Sequence, residues 1–177
     1  MSISKASISD LSELLNLVNT TYRGESSAKG WTSEILLLDG EIRIDEETLT
    51  DYLTNEAICV LKYTDSAQQI AGCVYLEKKE EKIYLGMLAV NPELQNSGIG
   101  RLLLQGAENY ARQTDCHIIS MSVIEDRTEL IAYYQRRGYL LTGEKHPFPI
   151  EYYKYGKPLK EIILVEMKKI FYCNLSE

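Results

Sequence analysis

The chain is poor in the residues that several common chemistries need. Among its 177 residues are only two histidines, His117 and His146, and no His-Glu-x-x-His occurs. That removes the usual helical zinc site, and no metal is expected. The four cysteines, Cys59, Cys73, Cys116 and Cys173, form no C-x-x-C pair and show no zinc-finger spacing. Cys59 and Cys73 lie in apolar runs and read as small buried hydrophobes. No Gly-x-Ser-x-Gly is present, so a nucleophile-elbow hydrolase is excluded. No apolar run reaches the roughly 18 residues of a membrane span. Basic residues are outnumbered, 19 against 26 acidic, for a formal net charge of -7. A nucleic-acid partner would need clustered Lys and Arg, so none is expected. Net acidity agrees with a small cationic ligand, although it ordinarily serves solubility alone. Repeats, low-complexity tracts and linker-like runs are missing, and the first residues carry no apolar signal region. The expectation is one domain over residues 1–177, located in the cytoplasm, with no membrane partner and either monomeric or homodimeric.

What is present is a regular alternation of apolar patterns. Seven strands are predicted, at 3–7, 57–63, 69–77, 83–90, 116–123, 139–143 and 161–169. Helices are predicted from Leu11, over Asp45–Thr54, after Gly98 and over Thr128–Arg137, the last stopped by Gly138. In the helix after Gly98 the apolar face is read as Ile99, Leu102, Leu103, Ala107 and Tyr110. Gly86, inside the fourth strand, signals a bulge or a close backbone approach. Residues 23–40 and 145–160 read as loops. Strands joined by hairpins and mixed with crossover helices give an α/β (α+β) architecture with a mixed sheet.

The informative stretch is Leu88-Ala-Val-Asn-Pro-Glu-Leu-Gln-Asn-Ser-Gly-Ile-Gly-Arg. A strand ends at Asn91-Pro92, and Gly98 and Gly100 open an amphipathic helix. The first amides of a helix have no internal partner, and the helix dipole adds to them, so this is an anion cradle. It is neither a Walker loop nor a dinucleotide fingerprint, since Leu103 stands where the third glycine of the latter belongs.

Gln95-Asn-Ser-Gly98-Ile-Gly100 resembles the Gln/Arg-x-x-Gly-x-Gly/Ala motif of the GNAT N-acetyltransferase superfamily, and Leu88–Pro92 resembles that family's strand ending. Downstream, Tyr134-Gln-Arg-Arg-Gly138-Tyr139 resembles its Tyr-x-x-x-Gly-Phe/Tyr segment. The resemblance implies a GNAT-like, mostly antiparallel sheet flanked by helices. It implies acetyl-CoA as cosubstrate and a primary amine of a small molecule or peptide as acceptor. Main-chain groups of Leu88, Ala89 and Val90 would meet the pantetheine arm. Amides of Gln95, Asn96, Ser97, Gly98, Ile99, Gly100 and Arg101 would bind the pyrophosphate. Tyr134 would be the general acid, its hydroxyl suited to protonate a departing thiolate. Tyr133 is its neighbour, and the sequence alone does not say which of the two faces inward.

Two departures from the family pattern stand out. Arg127 occupies a position where many members carry Asn, and Asn96 and Ser97 are neutral where a cation is common, which leaves Arg101 as the nearby cation. The Arg127 departure keeps a non-catalytic acyl-CoA-binding or sensing domain as the alternative. For the acceptor side the candidates are Trp31 and Glu34. Trp31 is either a pocket floor or a core anchor. Glu34, like Asp39 and Glu41, is either a site carboxylate or a solvated one. The tyrosine-rich segment Phe148–Lys157 is a cover for that side, a subunit contact or a packed connection.

Overall fold

The computed structural model describes residues 2–23 and 33–171. Its strands are β1 (Ser2–Lys5), β2 (Ile58–Thr64), β3 (Ile70–Lys79), β4 (Lys82–Val90), β5 (Ile118–Ile124), β6 (Leu140–Pro147) and β7 (Ile163–Ile170). Its helices are α1 (Leu11–Tyr22), α2 (Glu46–Thr54), α3 (Ile99–Gln113) and α4 (Thr128–Gln135). The seven strands form one sheet in the order β1-β2-β3-β4-β5-β7-β6. Every neighbouring pair is antiparallel except β4 and β5, which run parallel across the α3 crossover.

The sheet is covered on both faces, and this explains the nearly continuous apolar run of β2. Cys59 and Leu61 point to one face, where they join Ile99, Leu103, Leu104, Ala107 and Ala111 of α3. Ile58 and Val60 point to the other, where they join Leu14, Leu17 and Val18 of α1 and Leu49 of α2. Cys59 and Cys73 are buried as read from the sequence, and burial pushes the Cys73 thiol up to about 12. Among the described residues no helix is long and apolar enough to cross a membrane.

Several boundaries differ from the sequence reading. The buried stripe of α3 includes Leu104 and Ala111, whereas Leu102 is exposed, because the helix rests on the sheet along a line rotated from the one read. β6 continues to Pro147 because β7 pairs with it as far as Ile163. The segment after β6 contains a short 3-10 helix, Ile150–Tyr155.

Asp45 shows how a helix start ties into the tertiary structure. Its Oδ1 accepts from the Thr48 amide at 2.8 Å, capping α2, and its Oδ2 lies 3.4 Å from Lys154 Nζ. Bonding to Thr48 is the largest cause that lowers its carboxyl from 3.8 to about 2. The contribution to stability is therefore complete above the ordinary value and is lost as the pH falls through about 2. We expect Asp45→Ala to cost about 1 kcal/mol at neutral pH. The gap to wild type in thermal unfolding should close as the pH is lowered from 3.8 towards about 2. A gap that stays constant over that interval would show that the cap does not depend on the charge.

Candidate active site

The site is built where the parallel pair opens. β4 and β5 are in register only at Lys82–Ile118, Ile83–Ile119 and Tyr84–Ser120. Beyond Tyr84 the β5-facing edge of β4 has no ladder partner, so its backbone polar groups face a cleft. β4 also carries the bulge read from Gly86. Cys73 pairs with Ala89 and Tyr75 with Gly86, which leaves Val74 opposite both Met87 and Leu88. The positive φ of the bulge, 47°, falls on Met87 and not on the glycine. Tyr22, at the end of α1, donates its hydroxyl to the Leu88 carbonyl at 3.0 Å and so occupies one of the bulge's polar groups.

Two cavities meet at this cleft. The first, about 320 Å³, lies at the start of α3. Gly98 caps that helix with φ 89°, a conformation that disfavours any side chain. Leu102 is the first residue to close an intrahelical bond, to Gly98 O at 3.0 Å. The amides of Ile99, Gly100 and Arg101 precede it and point out of the first turn. Among the described residues, three guanidinium groups line this cavity, Arg101, Arg136 and Arg137, and no carboxylate does. In a chain of net charge -7 that is a local reversal of sign, and with the free helix amides it makes an anion site.

The remaining motif residues divide. Leu88, Val90, Gln95 and Asn96 line the same cavity. Ser97 does not: its amide and hydroxyl both go to the Leu94 carbonyl. Ala89 is fully buried and packs in the core on the α1 side.

The second cavity, about 150 Å³, lies on the other side of Leu88 and Tyr134, which line both. Its walls come from the end of α1, the 34–43 segment, β4 and β5, and the tyrosine-rich segment, through Phe148, Pro149, Tyr152 and Tyr155. That segment both lines this cavity and packs against the chain, through Phe148 and, at its end, the Leu38–Pro158 bridge. Glu34 lines the cavity, is ion-paired with Arg23 at 2.5 Å and lies 3.7 Å from Arg43 Nε. Asp39 and Glu41 are exposed and line neither cavity, and Asp39 accepts from the Lys157 amide. Trp31 lies outside the described residues. Arg127 lines the second cavity only and donates to the Ser33 carbonyl at 2.7 Å. Among the described residues one group of possible metal ligands, Glu144, His146 and Glu166, comes together on β6 and β7 and lines neither cavity.

The choice between the adjacent tyrosines is decided by packing. Tyr133 turns to the first cavity, where Arg137 stacks on its ring at 3.5 Å and its hydroxyl lies 2.9 Å from where a Cβ on Gly100 would stand. Tyr134 is buried at the junction of the two cavities, with no hydrogen-bond partner for its hydroxyl among the described residues. Burial is the main cause that raises its pKa above 10, with Tyr133 adding to it while Arg137 and Arg127 oppose it. The phenol is therefore protonated at neutral pH.

A family model described as the acetyltransferase (GNAT) family matches residues 14–139. The chain belongs to the GNAT acetyltransferase family. Solved GNAT structures share its fold over nearly its whole length. The ribosomal-protein-S18-alanine N-acetyltransferase of Escherichia coli superposes with a TM-score of 0.71 at 15% identity, covering 99% of this chain and 97% of that one. The yncA protein of Salmonella typhimurium, solved with its cofactor acetyl-CoA, has a TM-score of 0.71 at 14% identity, covering 100% of this chain and 97% of that one. At such identities the likeness is one of fold. An uncharacterized Bacillus subtilis protein, YdhI, is 30% identical over 115 residues, which are 63% of this chain and 62% of that protein.

Sequence reasoning missed Arg136, Arg137 and Tyr22. The two arginines stand between Gln135 and Gly138 in the quoted motif, but only the placing of this segment beside the start of α3 gives them a role. Tyr22 lies 66 residues from Leu88, and no local signal links the two.

Proposed function

We propose that the protein transfers an acetyl group from acetyl-CoA to a primary amine of a small molecule or peptide. The observation that carries this is Tyr134 at the junction of two cavities, one an anion site, the other walled by aromatic and aliphatic side chains with a few charged groups at Arg23, Glu34, Arg43 and Arg127. The residues present fit the cosubstrate: outward amides at the start of α3 and the guanidinium groups of Arg101, Arg136 and Arg137 suit a diphosphate and a further phosphate. Acetyl-CoA supplies an acyl thioester whose sulfur leaves as a thiol.

Ile99, Gly100 and Arg101 bind phosphate oxygens through their amides. The unpaired edge of β4 beyond Tyr84 holds the pantetheine arm, and the bulge at Met87–Leu88 presents an N–H to the carbonyl oxygen on which charge develops. Tyr134 holds the proton that the leaving sulfur takes. On the acceptor side the guanidinium groups disfavour the ammonium form of an incoming amine and so favour the neutral nucleophile. Glu34, engaged by Arg23, holds those groups in position.

The test is CoA release from acetyl-CoA across amino acids, amines, polyamines and peptides, with acetyl-CoA binding followed by calorimetry. Turnover with one acceptor class supports the transferase. Tight binding without turnover on any class would favour a non-catalytic acyl-CoA-binding domain.

A further inference from the structure

The acceptor-side cavity has an imbalance of charge that the transfer reaction alone does not use. Arg23 and Arg43 share the single carboxylate of Glu34. The Arg23 side chain is only 2% exposed, and its Nε has no hydrogen-bond partner among the described residues. Arg43 lies against the Tyr22 ring at 5.4 Å and the Tyr152 ring at 5.8 Å, and its guanidinium finds no hydrogen-bond acceptor among the described residues. Arg127 adds a third guanidinium, but Glu129 pairs with it from outside the cavity. Among the described residues, Glu34 balances one of the first two cations and leaves the other in excess.

A guanidinium excess in a part-buried pocket is costly unless an anion joins it. The fork of Arg43 lies 5.4 and 5.8 Å from the centres of the Tyr22 and Tyr152 rings, and the natural complement of such a fork is a carboxylate taken in two parallel hydrogen bonds. The reacting end is elsewhere in the same cavity, at Leu88 and Tyr134. A ligand spanning the two ends has an amine at one and an anion at the other, and aromatic side chains for walls.

We infer that the acceptor is an amine that also carries a carboxylate, of the amino-acid type, with that carboxylate bound by Arg43 and Arg23. This deepens the proposed transferase function and rests on it. It also reverses the reading from net charge: the molecule is acidic overall, but the cavity that takes the acceptor is basic. The transfer itself is balanced. The amine nitrogen forms the bond to the acetyl carbon, the carbon–sulfur bond breaks, and the proton lost by nitrogen is matched by the one gained by sulfur.

The experiment measures CoA release with the full chain, acetyl-CoA and matched acceptors: L-phenylalanine, L-methionine and L-glutamate, each beside its α-amide, with spermidine as a carboxylate-free amine. Calorimetry measures acetyl-CoA binding in parallel. For at least one pair the free acid should exceed the amide in kcat/KM by about tenfold or more, the worth of a charge-assisted hydrogen bond. Arg43→Gln should reduce that ratio to about 3 or less, and Arg43→Lys should retain an intermediate preference. Amides or spermidine turning over as well as the acids would overturn the inference and leave the transferase intact. So would a ratio unchanged in Arg43→Gln. Acetyl-CoA bound with none of the three acids acetylated also overturns it. Absence of acetyl-CoA binding is a separate result, and it would bring down the proposed function itself.

Discussion

Replacing Tyr134 by phenylalanine should lower kcat for acetyl transfer by about 10²-fold or more, the usual worth of a positioned general acid. Acetyl-CoA affinity should change by less than about threefold, because the ring stays in place and only an oxygen is removed. The hydroxyl has no hydrogen-bond partner among the described residues, so its loss leaves no group unsatisfied and thermal stability should hold. The pH profile adds a second check. Burial raises the Tyr134 pKa above 10, so the proton is retained and the wild-type rate should not fall on the alkaline side through loss of this group below that value. An unchanged kcat in Tyr134→Phe, measured by CoA release with saturating acceptor, would remove the residue from the proton transfer.

Gly40→Ala should separate acceptor binding from cosubstrate binding. A Cβ on Gly40 would stand 1.8 Å from the Tyr155 carbonyl oxygen and 2.7 Å from the Gly156 Cα. Both are backbone atoms, so no side-chain rotation relieves the overlap, and the two segments must move apart. They are joined by Asp39 N to Lys157 O at 3.1 Å and Leu159 N to Leu37 O at 2.9 Å. One segment brings Glu34 and Leu38 to the acceptor-side cavity, and the other brings Phe148, Tyr152 and Tyr155. The cost should reach about 3 kcal/mol. For a chain of this size that is a fall of roughly 6–12 °C in melting temperature. Acceptor KM should rise by about tenfold or more, since displaced positioning groups are felt at that level. The acetyl-CoA Kd should change by less than about twofold, because Glu34, Leu38, Phe148, Tyr152 and Tyr155 line the acceptor-side cavity and not the one at the start of α3. Unchanged melting temperature and acceptor KM would mean that the two segments do not depend on this close approach.

The fold and one half of the site were legible locally. β2, β3, β4, β5 and β7 are visible as apolar runs, while β1 and β6 are short or largely exposed and weaker in pattern, and the strand–turn–helix around Gln95–Gly100 announces an anion cradle, because the amides of a helix start are set by neighbours in the chain. The bulge was also signalled at Gly86, although the strained φ fell on Met87, since pairing with β3 and not the glycine's freedom decides where the extra residue goes. Tyr134 was marked by its spacing from Gly138, but only packing against α3 and β4 separated it from Tyr133.

On the acceptor side the sequence offered Glu34 and the Phe148–Lys157 segment as candidates, and the tertiary structure decided which cations join them. Arg23, Glu34 and Arg43 are spread over twenty residues with no periodicity to reveal a shared pocket, and Tyr152 joins them from more than a hundred residues away. Net charge is a sum over the whole chain and carries no positions. An acidic protein can therefore hold two basic cavities, and only the folding of distant segments onto the opened edge of β4 shows where the cations gather.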